Sequence, residues 1–202
     1  MTPFKSHRGI LATLDRANVD TDQIIPKQFL KSIQRPGFGE NLFFDWRTLP
    51  DGKSNPQFEL NAPRFKGATI LVTRSNFGSG SSREHAVWAI QQYGFKAVIA
   101  PSFADIFRNN SGKNGLLTVE LKESEVEEIF LMVGRYSGLE ATVNLDEQRV
   151  TLNLAEEISF HFEMDATVKE HLIHGLDAIG LTLKHAEVIS AFEAKHDPQL
   201  SQ

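Results

Sequence analysis

Three short apolar runs constrain the fold of this chain more than any other feature: GATILVT at 67–73, AVIAP at 97–101 and LLTVEL at 116–121. Each reads as a buried strand by its β-branched and aliphatic content. A helix is predicted near 82–93, with Ala86, Ala89, Ile90 and Tyr93 at helical spacing. A second, short helix is predicted at 103–110, with Gly112 and Gly115 marking its exit. Strand, helix, strand, helix, strand is the pattern of parallel pairing with right-handed crossovers. The class expected is therefore α/β.

The flanks extend this frame. Residues 8–14 (RGILATL) predict a first strand, followed by a polar turn at Asp15–Asp22. Pro26 ends the apolar pair before it and can open a helix through Lys27–Ser32. Residues 124–135 predict a helix with a serine cap and an acidic first turn. Residues 139–145 and 148–154 alternate and join near Asp146–Glu147, as a hairpin would. A strand at 159–164 and helices over 166–195, broken near Gly175 and Gly180, complete the chain, with a frayed tail at 196–202. Residues 34–64 stand apart. They hold four of the eight prolines yet also Phe38, Phe43, Phe44, Trp46 and Phe58. Disordered linkers are poor in aromatics, so this is expected to be an ordered excursion from a single domain covering 1–202.

Composition narrows the chemistry. No cysteine is present, which excludes disulfides, thiolate zinc sites and an iron–sulfur cluster held by this chain's own thiolates. The formal charge of −5 argues against a nucleic-acid footprint. No apolar run approaches the roughly 20 residues of a membrane span. The N-terminal stretch lacks the pattern of a secretory signal. A cytoplasmic protein is expected.

Chemistry concentrates in GSGSSREHA at 78–86. Gly78 and Gly80 permit a sharp turn and close backbone approach. Ser81 and Glu84 match an S-x-x-E capping box, placing Ser81 or Ser82 at the N-terminus of the following helix. That end offers free N–H groups and about half a positive charge to an anion. Arg83 adds a fork that can hold a carboxylate bidentately. A serine so placed can serve as a base, because nearby donors stabilise its alkoxide. The residues alone are equally compatible with a plain capped helix and an incidental arginine. A dinucleotide fingerprint fails, since Arg83 stands where its last glycine is needed. A Walker loop fails because Arg83 and Glu84 stand where its Gly-Lys is needed, and the second glycine cluster fails at Phe107.

Together, NVDTDQIIP (18–26), GSGSSREHA (78–86), APSFADIFRNNSGKNGLL (100–117) and GLDAIGLTL (175–183) resemble the small subunits of 3-isopropylmalate dehydratases, the swivelling domain of the aconitase superfamily. The resemblance covers nearly the whole chain. It implies a swivelling β/β/α domain with a mostly parallel sheet core, helices on its faces and a C-terminal helical segment. It implies a hydro-lyase of leucine biosynthesis that interconverts 2-isopropylmalate and 3-isopropylmalate through 2-isopropylmaleate. It also implies a large-subunit partner whose cysteines carry a 4Fe–4S cluster, so that this chain binds no cofactor itself and is active only with that partner. By motif position, Ser81 would be the catalytic base, Arg83 would bind substrate carboxylate, and Ser82 would line the same pocket. Asp22 would be an active-site carboxylate that positions the arginine or joins a proton network, although Asp is also favoured in turns. The loop holding Phe29, Leu30 and Lys31 would meet the substrate side group, although such a Phe is more often core.

Related hydro-lyases acting on homoaconitate or a methyl-substituted malate, and a non-catalytic anion-binding module, remain alternatives at this level. His171 and His174 share a helix but lack a signalled third metal ligand. His85 can orient neighbours or face a carbonyl. Arg108, Asn109 and Asn110 can support the site or simply cap a helix end. The acidic run Glu123–Glu128 reads as a solvated face.

Overall fold

The computed structural model describes residues 1–31, 36–176, 180, 182 and 185–196. Seven strands form one sheet in the order β4-β3-β2-β1-β5-β6-β7. They are β1 (Ser6–Leu14), β2 (Ile70–Thr73), β3 (Ala97–Ala100), β4 (Leu117–Glu120), β5 (Glu140–Asn144), β6 (Arg149–Leu152) and β7 (Ile158–His161).

β1 is the hinge of the pattern. Its second half pairs in parallel with β2, Leu11 opposite Ile70 and Leu14 opposite Thr73. Its first half pairs antiparallel with β5, Ser6 opposite Asn144 and Ile10 opposite Glu140. β2, β3 and β4 continue in parallel, and β5, β6 and β7 continue antiparallel. Burial follows this division. Every residue of β2 and β3 is buried, because helices cover both faces of a parallel sheet. β5 alternates between buried and half-buried positions, as a strand with one wet face does.

Helices α1 (Thr21–Ile24), α2 (Phe44–Arg47), α3 (Glu84–Tyr93), α4 (Asp105–Asn114), α5 (Glu123–Arg135), α6 (Ala166–His174) and α7 (Ala186–His196) complete the order. One core joins Leu71, Val98 and Ala100 of the sheet to Ala86, Ala89 and Ile90 of α3 and to Phe107 of α4. The opposite core joins Ile70, Val72, Ile99 and Val119 to Val126, Ile129 and Val133 of α5. The α5 residues recur at helical spacing, and burying each contributes about 1.5–3 kcal/mol as an upper estimate.

Segment 36–65 lies on the α3 side. Phe38, Phe43 and Phe58 are buried in that core. Gly39 passes so close to α3 that an added Cβ would meet the Gln92 carbonyl carbon at 2.6 Å. Arg16, just after β1, stacks 4.3 Å over the Trp46 ring and pairs with Glu59 at 3.0 Å, tying this segment to the β1 exit.

Several element ends differ from expectation. The polar turn after β1 contains a one-turn helix, α1, capped by Asp20. The helix expected at 27–32 is a 3-10 turn over Lys27–Lys31. α4 runs through Gly112 to Asn114, four residues beyond the expected end, and stops where Gly115 turns left-handed at φ 84°. Val168 packs beside Gly112, 3.2 Å from where a Cβ would sit, which accounts for glycine inside that helix. Ser124 does not cap α5. The cap position is Lys122, whose N–H donates to the Glu125 carboxylate at 2.9 Å. α6 ends at left-handed Gly175, while residues 177–179 before Gly180 and the tail beyond His196 lie outside the described residues.

Candidate active site

Two loops leave the C-terminal ends of adjacent parallel strands, β1 and β2, and are sewn together by backbone. Asn18 N–H donates to the Ser75 carbonyl at 2.9 Å, Gly78 N–H to the Val19 carbonyl at 2.7 Å, and Thr21 N–H to the Ser79 carbonyl at 2.8 Å. The Thr21 hydroxyl donates to the Ser81 carbonyl at 3.1 Å. The two sequence motifs, 60 residues apart, thus form one surface at the edge where open α/β sheets bind ligands.

The glycines act differently. Gly78 has φ +79°, and a Cβ there would lie 2.2 Å from Cγ of Phe107. It is needed both for its conformation and for the ring packed against it. Gly80 has φ +93°, but its nearest neighbour would be at 3.4 Å, so conformation alone requires it.

The expected Ser81–Glu84 capping box does not form. α3 starts at Glu84, Arg83 is the cap residue with extended backbone, and no side chain caps the helix. The reason is the turn itself. Left-handed Gly80 and the hold on the Ser81 carbonyl keep 81–83 off the helical path. Neither serine hydroxyl is therefore spent on capping, and both serines are exposed. Ala86 N–H donates to the Arg83 carbonyl at 3.3 Å, whereas among the described residues the N–H groups of Glu84 and His85 have no partner and can meet an anion. A capping box forms instead on α1. Gln23 N–H donates to Asp20 Oδ1 at 2.7 Å, and Asp20 N–H donates to Gln23 Oε1 at 2.9 Å. The D-x-x-Q spacing carried that signal in the sequence.

α1 delivers Asp22 to Arg83. The Arg83 guanidinium donates to Asp22 Oδ1, and Lys27 Nζ stands 3.5 Å from Oδ2. The Arg83 side chain is 13% exposed and that of Asp22 is 41% exposed. Desolvation pushes the Asp22 carboxyl upward, but the hydrogen bond and charge of Arg83, with those of Lys27, outweigh it and hold the carboxyl below its ordinary value. Asp22 is therefore ionised at neutral pH.

Ser82 lies on the same exposed turn as Ser81. Phe29 and Leu30 pack on the core, with the Phe29 ring edge-on to Phe44 at 4.9 Å. Lys31 ends the same 3-10 turn. What links that turn to the site is Lys27 at its start, which sequence reasoning passed over. Thr21 was also missed, since its hydroxyl bond to Ser81 is tertiary. Among the described residues the contacts of His85 are with aromatic rings. Its ring sits 5.1 Å from Phe38 and 4.8 Å from Trp88. Arg108, Asn109 and Asn110 lie inside α4 rather than at its end, with Arg108 3.4 Å from Glu120 beside a cavity of about 470 Å³. Among the described residues, no group of three or more His, Cys, Asp or Glu gathers to hold a metal ion, and no helix is long and apolar enough to cross a membrane.

The arrangement can bind an anion, offer a hydroxyl to it, and fix the binding arginine by a carboxylate. Residues 1–124 match the Aconitase C-terminal domain family. Residues 179–199 match the family of C-terminal domains of the 3-isopropylmalate dehydratase small subunit. The 3-isopropylmalate dehydratase small subunit of Rhodopirellula baltica is 59% identical over 194 residues, covering 96% of this chain and 98% of the relative. The corresponding protein of Desulforapulum autotrophicum is 52% identical over 205 residues, covering 96% of each. That of Halalkalibacterium halodurans is 58% identical over 194 residues, covering 96% and 98%. A crystal structure of 3-isopropylmalate dehydratase from Methanocaldococcus jannaschii shares the fold, with a TM-score of 0.65 at 24% identity over 93% of this chain and 99% of that one. The chain belongs to the family of 3-isopropylmalate dehydratase small subunits.

Proposed function

We propose that this chain supplies the proton-handling and carboxylate-binding face of a hydro-lyase that interconverts 2-isopropylmalate and 3-isopropylmalate in leucine biosynthesis. The family carries the reaction. The single geometric observation that supports this chain's part in it is the uncapped start of α3, where Arg83 pairs with Asp22 next to exposed Ser81.

Ser81 Oγ takes the proton from the carbon beside a substrate carboxylate. The carbon–oxygen bond of the hydroxyl breaks, the oxygen leaves as water after gaining a proton, and the double bond of 2-isopropylmaleate forms. Water then adds back across that bond with proton and hydroxyl on exchanged carbons. Arg83 holds a carboxylate through its guanidinium fork, and the ionised Asp22 fixes the plane of that fork. The open N–H groups of α3 and Arg83 lower the cost of the Ser81 alkoxide.

A 4Fe–4S cluster is held by thiolates, and this chain has none, so its own donor set does not fit such a cluster. The cluster would sit on the thiolates of a large subunit, where it would bind the substrate hydroxyl and a carboxylate.

The test is reconstitution with the large subunit. Ser81→Ala should lower kcat by about 10³-fold or more while the thermal transition is retained. Turnover within a few-fold of wild type, or full turnover from this chain alone, would overturn the reading.

A further inference from the structure

We propose that Thr21 is the positioning residue that sets the Ser81–Ser82 peptide, a role that rests on the reading of Ser81 as the base. Thr21 is 2% exposed, yet both of its donors are committed to the neighbouring turn. Its N–H donates to the Ser79 carbonyl at 2.8 Å and its hydroxyl to the Ser81 carbonyl at 3.1 Å. A helical threonine ordinarily bonds back to a carbonyl in the preceding turn. Thr21 is the first residue of α1, where no such helical carbonyl exists, so its hydroxyl is free to reach across. One residue thereby grips alternate carbonyls of the glycine-serine turn. Gly80, between them, passes with its Cβ position 3.4 Å from Thr21 Oγ1.

The consequence follows from peptide planarity. In a trans peptide the carbonyl and the next N–H point in opposite directions. Drawing the Ser79 and Ser81 carbonyls toward Thr21 turns the Gly80 and Ser82 N–H groups away from it, on an exposed turn. Among the described residues neither N–H has a hydrogen-bond partner. These donors, with Arg83 and the open end of α3, can converge on one carboxylate. Thr21 therefore fixes both the direction of the Ser81 side chain and the donors beside it, without touching substrate.

The experiment uses the assembled enzyme. Thr21→Val removes the hydroxyl and keeps the shape, and Thr21→Ser keeps the hydroxyl. Thr21→Val should lower kcat by about 10- to 100-fold, as expected when a reacting group is misplaced by a fraction of an ångström to 1 Å. Thr21→Ser should recover most of that loss. The ascending limb of the pH–rate profile, where the base loses its proton, should move to higher pH in Thr21→Val, because the Ser81 alkoxide loses stabilisation. A kcat within about twofold of wild type, equal damage in Thr21→Ser, or a loss that tracks the folded fraction with an unmoved pH limb would each overturn the proposal. Where Thr21→Val does not assemble, Thr21→Ala takes its place with the same outcomes. Ser81→Ala run alongside separates the two readings. If it keeps turnover, the base assignment fails; if it abolishes turnover while Thr21→Val is silent, only the role of Thr21 fails.

Discussion

Asp22 stands between two cations, Arg83 in direct contact and Lys27 at 3.5 Å. Its pKa in the folded chain lies below its ordinary value. The sign follows from that. Its contribution to stability is fully present above the ordinary carboxylate pKa and is lost only as pH falls through the depressed one. At neutral pH the trio Arg83, Lys27 and Asp22 carries formal charges of +1, +1 and −1. Asp22→Asn would remove the negative charge, which strengthens the attraction of a dicarboxylate in the ground state. The same change releases the Arg83 fork, which no longer has an ionised partner to hold its plane. The loss therefore belongs in the transition state. We expect kcat to fall about tenfold or more with KM unchanged or lower, read from saturation curves of the assembled enzyme at neutral pH. A rise in KM with kcat intact would instead make Asp22 a substrate-binding group and not an aligner of Arg83.

At the scale of elements, the glycine-serine turn is a strap laid over α4 and stitched to α1. Its contact with α4 is the face of Gly78 against Phe107. Gly78→Ala meets two penalties, the left-handed backbone and a ring 2.2 Å from the new Cβ. Together these cost about 2–5 kcal/mol, whereas Gly80→Ala meets only the backbone penalty of about 1–2 kcal/mol. Urea denaturation of the two variants should show this ordering, and equal destabilisation would mean that the strap lifts off α4. The same strap shows how far the sequence could be read. The apolar runs at 67–73, 97–101 and 116–121 were legible because burial on both faces leaves a compositional trace. The start of α3 was not. Ser81 and Glu84 carry a local capping signal, but the competing bonds come from Thr21, 60 residues earlier, and tertiary bonds leave no spacing to read. Asp20 and Gln23 form the local box that Ser81 and Glu84 do not. The Arg83–Asp22 pair was named through resemblance; nothing local brings those residues together. Phe29 and Leu30 came from the same resemblance, and their side chains pack on the core.

For the whole molecule, β1 decides where chemistry can sit. Its two halves pair with opposite senses, so the parallel strands β1 to β4 send their C-terminal ends to one edge. Asp22, Ser81, Ser82 and Arg83 lie on that edge, and the serines are exposed. An arginine–carboxylate contact in water is weak, because the dielectric screens it and both groups must shed hydration. Covering the edge with another surface excludes water and strengthens every polar contact there. The isolated chain is thus expected to bind 3-isopropylmalate no more tightly than about 1 mM, some 4 kcal/mol of binding free energy or less, while the assembly with a large subunit binds it more tightly. Titration calorimetry on this chain, on the assembly, and on an assembly carrying Arg83→Ala checks the argument. The isolated chain should give no saturable heat at micromolar to submillimolar substrate. The assembly should saturate, and Arg83→Ala should weaken it by about tenfold or more, the effect of removing a charged hydrogen-bonding partner from a dehydrated site. Micromolar binding by the isolated chain would mean that this edge, open as it is, already forms a complete site.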